Sequence, residues 1–139
     1  MKNKSIIILL LASIFITACN KSEKHTHGNS EAIQLNEGKQ WIVVSEMMAY
    51  IQQIETDVSS FEGTELSDHE KLAESIDSNL EKLTSNCTMT GQAHDELHKW
   101  LLPFLELADT YNKSEDLKEA QKHLADIKTS FATFNTYFK

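Results

Sequence analysis

Residues 91–112 read GQAHDELHKWLLPFLELADTYN, and apolar side chains recur in this stretch every three or four positions. This spacing places them on one face of an α-helix, so the stretch predicts an amphipathic helix that buries that face. Pro103 removes a backbone hydrogen bond and crowds the preceding turn. We therefore expect either a kink near residues 99–102 or two shorter helices end to end. The apolar positions are Leu97, Trp100, Leu101, Phe104, Leu105, Ala108 and Tyr111.

Three further segments carry the same helical pattern. One begins near residue 44 with Ser45 as its expected N-cap, and the next begins at a capping box of Ser67 and Glu70. The last begins near Ser114. Their apolar positions are, in chain order, Val44, Met47, Met48, Ile51, Ile54, Val58 and Phe61; then Leu72, Ile76, Leu80 and Leu83; then Leu117, Leu124, Ile127, Phe131, Phe134 and Phe138.

Four such helices joined by short connections predict an all-α fold, an up-down-up-down four-helix bundle over residues 41–139. The chain has 139 residues with only 4 Gly and 1 Pro, too few turn-forming residues for a β-sandwich or barrel. In this topology the first helix begins, the second ends, the third begins and the fourth ends at one end of the bundle. The connection between the second and third helices therefore lies at the end where the chain enters the domain.

The chain is acidic and contains no arginine. All 13 basic residues are Lys, against 21 Asp and Glu, which gives a formal net charge of −8 at pH 7. Nucleic acid binding requires net attraction to phosphates, which arginine contacts in a bidentate manner. The composition therefore argues against a DNA or RNA partner.

Residues 1–18 have the pattern of a signal peptide. Lys2 and Lys4 precede an apolar run over residues 6–16, which is shorter than the roughly 20 residues of a membrane-spanning helix. The run ends in the sequence ITAC at residues 16–19, which resembles the bacterial lipobox. The resemblance implies that residues 1–18 are cleaved and that Cys19 becomes an acylated, for example palmitoylated, N-terminus.

Residues 19–40 are polar without a sustained period, and we interpret them as a lipidated flexible tether. Attachment to the membrane then depends on the lipid, because anionic membrane surfaces repel an acidic body. Asn20 stands where lipoproteins retained in the inner membrane usually carry an Asp. We therefore expect a lipid-anchored protein of the cell envelope, on the periplasmic or outer face of the outer membrane in preference to the inner membrane.

Candidate metal ligands concentrate between the second and third predicted helices. His94 and His98 are four residues apart, which stacks their rings on one helix face about 6 Å apart. We expect this face to point into the bundle. The predicted metal site consists of Cys87, Met89, His94 and His98, with Met47 and Met48 at the same end of the bundle as further candidates.

Thiolate, thioether and imidazole together favour a soft ion. Cu(I) accepts all three, whereas Zn(II) uses Cys and His but not Met, so copper is predicted ahead of zinc. Cys87 is the only cysteine besides the lipobox one, which leaves no partner for an intramolecular disulfide in the oxidising envelope. The expected function is buffering of copper or its transfer to another envelope metal-handling protein.

The stretch CTMTGQAHDELHKWLLP at residues 87–103, with Trp41 and residues 47–48, resembles a family of small uncharacterised bacterial envelope lipoproteins. The resemblance covers nearly the whole mature domain. It carries no activity with it, and it implies only that Cys87, Met89, His94 and His98 form one unit.

Two other functions remain open from the sequence. The bundle end can dock another envelope protein without metal, as a non-enzymatic interaction or structural lipoprotein in which the histidine pair is packing. A b-type haem held by Met47 and His94 is the second alternative, although the aromatic residues of the fourth helix are expected to fill the space it needs. No enzyme is expected, because phosphate-loop, GxSxG and HExxH motifs are absent from the sequence. His69 and His123 are interpreted as structural or exposed.

Overall fold

The computed structural model describes residues 32–139, and four α-helices form most of this region. The predicted signal peptide over residues 1–18, the predicted lipidation site Cys19 and the first part of the predicted tether lie outside the described residues. Within residues 32–139, no helix combines the length and apolarity needed to cross a membrane. The helices are α1 (Ser45–Ser59), α2 (Leu66–Ser85), α3 (Gly91–Asn112) and α4 (Leu117–Tyr137).

The four helices pack as a bundle in which chain neighbours are also spatial neighbours, which confirms the predicted fold class. Helix α1 lies against α2 and α4, α3 lies against α2 and α4, and α2 also approaches α4 across the bundle. Helices α1 and α3 occupy the remaining diagonal, where no pair of Cα atoms from these two described helices lies within 8 Å. The backbones of α1 and α3 are therefore farther apart than those of the other helix pairs.

Aromatic side chains fill the space between α3 and α4. The Trp100 ring lies 4.7 Å from the centroids of both Phe104 and Phe134, and Phe134 stacks on Phe138 at 5.2 Å. The Trp100 indole Nε1–H donates a hydrogen bond to the backbone oxygen of Ser130 at 3.0 Å, so its polar edge is satisfied inside the core. Fully burying such side chains stabilises the fold by roughly 1.5–3 kcal/mol each.

The chain enters the bundle through residues 33–43, a non-helical segment with a tight turn at Glu37 and Gly38, which we call the strap. Its Trp41 N–H donates to the Tyr137 carbonyl at 2.8 Å, and the Trp41 carbonyl accepts from the Lys139 N–H at 2.9 Å. The Val43 N–H donates to the Lys139 carbonyl at 2.9 Å. This short parallel pairing places the start of α1 beside the end of α4, as the topology predicted. Residues 33–40, which the sequence analysis assigned to the flexible tether, belong to the strap.

Helix α2 begins with acidic caps instead of the predicted Ser67 and Glu70 capping box. The Glu65 side chain accepts from the backbone of Asp68, and the Asp68 carboxylate accepts from the Glu65 N–H at 3.2 Å. Carboxylates satisfy the free N–H groups at a helix start and also complement the positive end of the helix dipole. The capping box is therefore real but lies two residues earlier than predicted.

Helix α3 begins at Gly91 as predicted, and the starts of α1 and α4 are shifted by one to three residues. Val44 is the N-cap residue of α1, and the predicted cap Ser45 is its first helical residue. Helix α4 begins after Asp116, whose side chain accepts a hydrogen bond from the Glu119 N–H at 2.8 Å. Because the Asp116 carboxylate caps the helix, α4 begins later than the start near Ser114 that the sequence predicted.

Helix α3 runs without interruption through Pro103, so the alternative of two shorter helices is wrong. The Pro103 side chain is exposed on the outer surface of the bundle. On that surface, the crowding and the lost hydrogen bond that proline causes are accommodated without disturbing the packed face. The expected kink stays a prediction.

Candidate metal centre

Cys87, His94 and His98 each bring one ligand atom to within 4.8 Å of the other two. Cys87 lies in the connection between α2 and α3, and the two histidines lie on the first two turns of α3. All three residues are half-buried. The structure thus assembles three of the four main predicted ligands into one cluster.

The local sequence explains how the connection turns back onto α3. Asn86 ends α2, because both its backbone N–H and its side-chain amide donate to the Lys82 carbonyl, at 3.1 and 2.8 Å. Gly91 has a φ of +70°, a left-handed conformation that residues with a side chain rarely adopt. These two residues fix the ends of the connection and so hold Cys87 beside the first turn of α3.

The imidazole rings of His94 and His98 lie against each other, with centroids 4.1 Å apart. They are closer than the roughly 6 Å expected from helix spacing, because the two side chains lean together. His94 Nδ1 lies 3.1 Å from Asp95 Oδ1. This hydrogen bond orients the ring and leaves Nε2 as the nitrogen available to a metal, in the manner of outer-shell carboxylates at metal sites.

The environment of His98 favours its neutral form. Burial lowers the pKa of His98, and the neighbouring His94 lowers it further, while Asp95 opposes both effects. A metal binds the neutral imidazole through a lone pair that the protonated ring lacks. The lowered pKa therefore leaves His98 ready to coordinate at neutral pH.

The cluster lines an open pocket of about 310 Å³ in the groove between α2 and α3. Met89 lines the same pocket and is only 8% exposed, so its side chain borders the site that the sequence predicted. Leu102, 54% exposed, forms part of the rim. The lining is completed by Thr84, Leu101 and Leu105.

The prediction that the histidines point into the bundle is wrong. The inward face of α3 carries fully buried residues such as Leu97 and Phe104, whereas His94 and His98 are only half-buried. The two histidines lie at the edge of the apolar stripe, where α3 meets α2. The candidate centre is consequently a surface pocket that an ion or a partner can reach.

The two methionines of α1 lie elsewhere. Met47 is fully buried in the core, and Met48 lines a separate pocket with Phe134 and Phe138, between α1 and α4. Although they share one end of the bundle with the cluster, neither methionine is among the residues that line its pocket. Met47 is fully buried in the core, whereas His94 lines the pocket between α2 and α3, and this difference in position argues against a haem held between them.

One buried charged residue near the site was not predicted. Glu96 is 4% exposed, and its carboxylate accepts hydrogen bonds from the Gln34 backbone N–H and from Lys99 Nζ, both at 2.8 Å. Burial alone would raise the pKa of Glu96, but the hydrogen bonds from Lys99 and Gln34 outweigh it and the pKa is lowered. The sequence could have indicated this buried carboxylate, because Glu96 directly precedes Leu97, which lies on the apolar face of the helix.

The remaining described histidines have structural environments, as predicted. His69 is 3% exposed, its Nδ1 lies 2.8 Å from the Tyr111 hydroxyl, and Phe61 packs against it edge-on at 4.7 Å. Burial lowers the pKa of His69, partly opposed by the charge of Asp68. His123 is half-buried and pairs with the Ser114 hydroxyl at 3.0 Å.

Comparison of the chain with protein-family models, curated proteins and solved structures finds no match. The resemblance carried by residues 87–103 therefore stays a prediction. Function is inferred below from the residues and geometry of the pocket itself.

Proposed function

We propose that this protein binds copper(I) through Cys87, Met89, His94 and His98, and that it buffers the ion or transfers it. The observation that carries the proposal is the convergence of one thiol and two imidazoles within 4.8 Å in an open pocket. Bonds of about 2.3 Å to sulfur and about 2.0–2.1 Å to nitrogen place the ligands of one ion roughly 3.5 Å apart. Side-chain movements of about 1 Å would close the cluster around an ion.

The fourth candidate ligand favours copper over zinc. A Cys/His/His set suits either metal, but a thioether is a soft ligand that Cu(I) accepts and Zn(II) seldom does. Met89 is buried and lines the same pocket as the other three residues, which makes it the candidate for a fourth, thioether ligand. Copper(I) is the ion that uses all four side chains.

Buffering or transfer fits the exposure of the site better than permanent storage does. The three clustered ligands are half-buried, and Leu102 presents an exposed apolar rim beside them. A thiolate or thioether of another envelope protein can therefore approach the ion while its original ligands leave one at a time. The exposed Leu102 supplies apolar area for such a contact.

Thermal unfolding with and without Cu(I) tests the proposal on the chain that starts at residue 20. Ligand binding to the folded state adds about 2.7 kcal/mol at a hundredfold excess over Kd, so the wild-type midpoint should rise. The His94→Ala/His98→Ala double variant should lose this rise. His123→Ala is the matched control, since it removes an imidazole at the other end of the bundle.

Two results would contradict copper binding at this site: a wild-type midpoint that does not move with Cu(I), or a double variant that gains as much as the wild type. The first result would leave a metal-free interaction module as the better description of the pocket. Elemental analysis and an absorption spectrum of the purified protein separate copper from zinc, and a Soret band would identify haem instead.

We further propose that a lipid on Cys19 anchors the protein in the cell envelope, in the outer membrane. The support is the ITAC sequence at residues 16–19 behind a basic and apolar leader. Acyl chains contribute about 0.8 kcal/mol per buried methylene, so several chains give stable anchoring. The variant Cys19→Ser should incorporate no radiolabelled fatty acid and should leave the membrane fraction; normal acylation of this variant would refute the proposal.

A further inference from the structure

Glu96 lies between the two candidate histidine ligands in sequence but on the opposite face of α3. Two residues correspond to about 200° of rotation around a helix, so Glu96 points away from both His94 and His98. Its buried carboxylate accepts one hydrogen bond from Gln34, in the strap, and one from Lys99, one turn further along α3. The strap thus binds the turns of α3 that carry the histidines, on the face opposite to the two imidazole rings.

The strap offers Glu96 a donor that is already fixed in place. The Trp41 indole Nε1–H donates to the Gln34 carbonyl at 2.6 Å, and the Trp41 backbone pairs with Tyr137 and Lys139. Trp41 itself is buried, with 7% exposure. The Gln34 N–H is therefore presented to the carboxylate by a rigid neighbour, and a buried carboxylate depends strongly on such a partner.

The start of α3 has little other support. Among the described residues, the N-cap Thr90 makes no side-chain capping hydrogen bond, and the first turn of α3 contains no acidic residue. A helix start without a cap loses about 1 kcal/mol of stabilisation and frays more readily. His94 belongs to this weakly held turn, so anything that orders the turn also positions His94.

We propose that Glu96 is a positioning residue of the metal site: it clamps the strap to the turns of α3 that carry His94 and His98, so that strap docking and Cu(I) binding strengthen each other. This inference rests on the proposed function. Both events order the same two helical turns, and the second event has less conformational entropy to lose after the first. Such coupling is reciprocal, so the factor by which the docked strap raises Cu(I) affinity equals the factor by which Cu(I) raises strap docking.

The test removes the strap's hydrogen bond without touching α3. Gln34→Pro eliminates the backbone N–H that Glu96 accepts from, whereas Gln34→Ala keeps that N–H and serves as the matched control. Cu(I) affinity, measured by competition with a coloured Cu(I) chelator, should fall 5-fold to 150-fold in Gln34→Pro, the usual range of coupling between sites. It should stay at the wild-type value in Gln34→Ala.

Hydrogen exchange of the wild-type protein supplies a second readout that needs no variant of the strap. Saturating Cu(I) should slow exchange of the Trp41 and Val43 amides, which bond to the end of α4 and touch no ligand. The same addition should leave these amides unchanged in the His94→Ala/His98→Ala variant. A purely structural role of Glu96 predicts no effect of Cu(I) on either amide.

The two proposals fail in distinguishable ways. If the wild type binds no Cu(I), both are overturned. If the wild type binds Cu(I) but Gln34→Pro binds it equally well and the strap amides do not respond, the coupling is overturned and copper binding stands.

Discussion

The two ends of the bundle both hold histidines, in opposite environments. At the far end His69 is buried under Phe61 and paired with the Tyr111 hydroxyl. At the near end His94 and His98 lie half-buried against each other beside the Cys87 thiol. His69, which is enclosed by packing and hydrogen-bonded to a neutral hydroxyl, is a core residue. The His94 and His98 pair lies beside a thiol in an open pocket, where the ring nitrogens can coordinate a metal. Residue type alone did not separate these cases; the partners of each ring do.

Together with the proposed function, this comparison predicts that the far end contributes to stability and the near end to metal binding. Substitutions at His69 should lower the free energy of unfolding without changing Cu(I) affinity. Substitutions around Cys87 should lower Cu(I) affinity with little change in the free energy of unfolding. A variant that violates this division would show that the two ends are not independent.

Replacing the thiol tests the binding end and carries the largest expected effect. Cys87→Ser substitutes a hard hydroxyl for a soft ligand, so Cu(I) affinity should fall by more than the 10–100-fold that losing an outer-shell partner costs. The unfolding free energy of the metal-free protein should change by less than about 1 kcal/mol, because Cys87 is only half-buried. Chelator competition measures the first quantity and urea denaturation the second. Wild-type Cu(I) affinity in the Cys87→Ser variant would show that Cys87 is not a ligand.

Replacing His69 tests the packing end. His69→Ala leaves a cavity beside Phe61 and strips the buried Tyr111 hydroxyl of its partner, so the unfolding free energy should drop by about 2–3 kcal/mol. The Cu(I)-induced rise of the midpoint should match that of the wild type. His123→Ala, at a half-buried surface position, is the control and should cost less than about 1 kcal/mol. A loss of copper response in His69→Ala would mean that the two ends communicate.

Met89 sharpens the comparison by separating one metal from another. Met89→Leu conserves volume and should cost less than about 1.5 kcal/mol of stability. Cu(I) affinity should fall about tenfold, or roughly 1.4 kcal/mol, while Zn(II) affinity should not change because zinc does not use the thioether. Parallel titrations with both ions measure the difference. Equal losses for the two metals would indicate a packing role for Met89.

The smallest effect concerns pH at the far end. Burial lowers the pKa of His69 in the folded state, so the unfolded chain takes up a proton first, near its ordinary pKa of about 6.5. The contribution to stability is therefore complete above that pH and is lost as the pH falls from there towards the lowered folded pKa. Urea denaturation at several pH values should show a shallower decline for His69→Gln than for the wild type. Parallel curves for the two proteins would assign the pH dependence to other groups.

The sequence predicted the fold well because each helix carries its own periodic apolar stripe. Ile51 and Ile54 on α1, and Phe131 and Phe134 on α4, are buried where three-and-four spacing placed them. Such periodicity survives shifts of the helix ends, which depend on single side chains. The start of α2 shows this limit, since Glu65 and Asp68 form the capping box in place of Ser67 and Glu70.

The candidate site was only partly predictable. Cys87, His94 and His98 are close in sequence, and helix spacing alone brings the histidines together. Met47 and Met48 could be placed at the correct end of the bundle, but sharing an end does not bring their side chains to the pocket, since Met47 packs in the core and Met48 lies between α1 and α4. The strap was not predicted because backbone hydrogen bonds hold it in place. Every residue except proline has a backbone donor, so no pattern of side chains marks these bonds in the sequence.

The pairing of Trp41 with Phe138 has a consequence for the order of folding. It closes a loop that contains all four helices, and the entropy lost in closing so long a loop is offset only after the helices inside it have packed. We expect neighbouring helices to pair first and the strap to be added last. A folding chain would then bring Cys87 and the histidines together before Gln34 binds Glu96, so that the proposed metal site reaches its final form only when folding is complete.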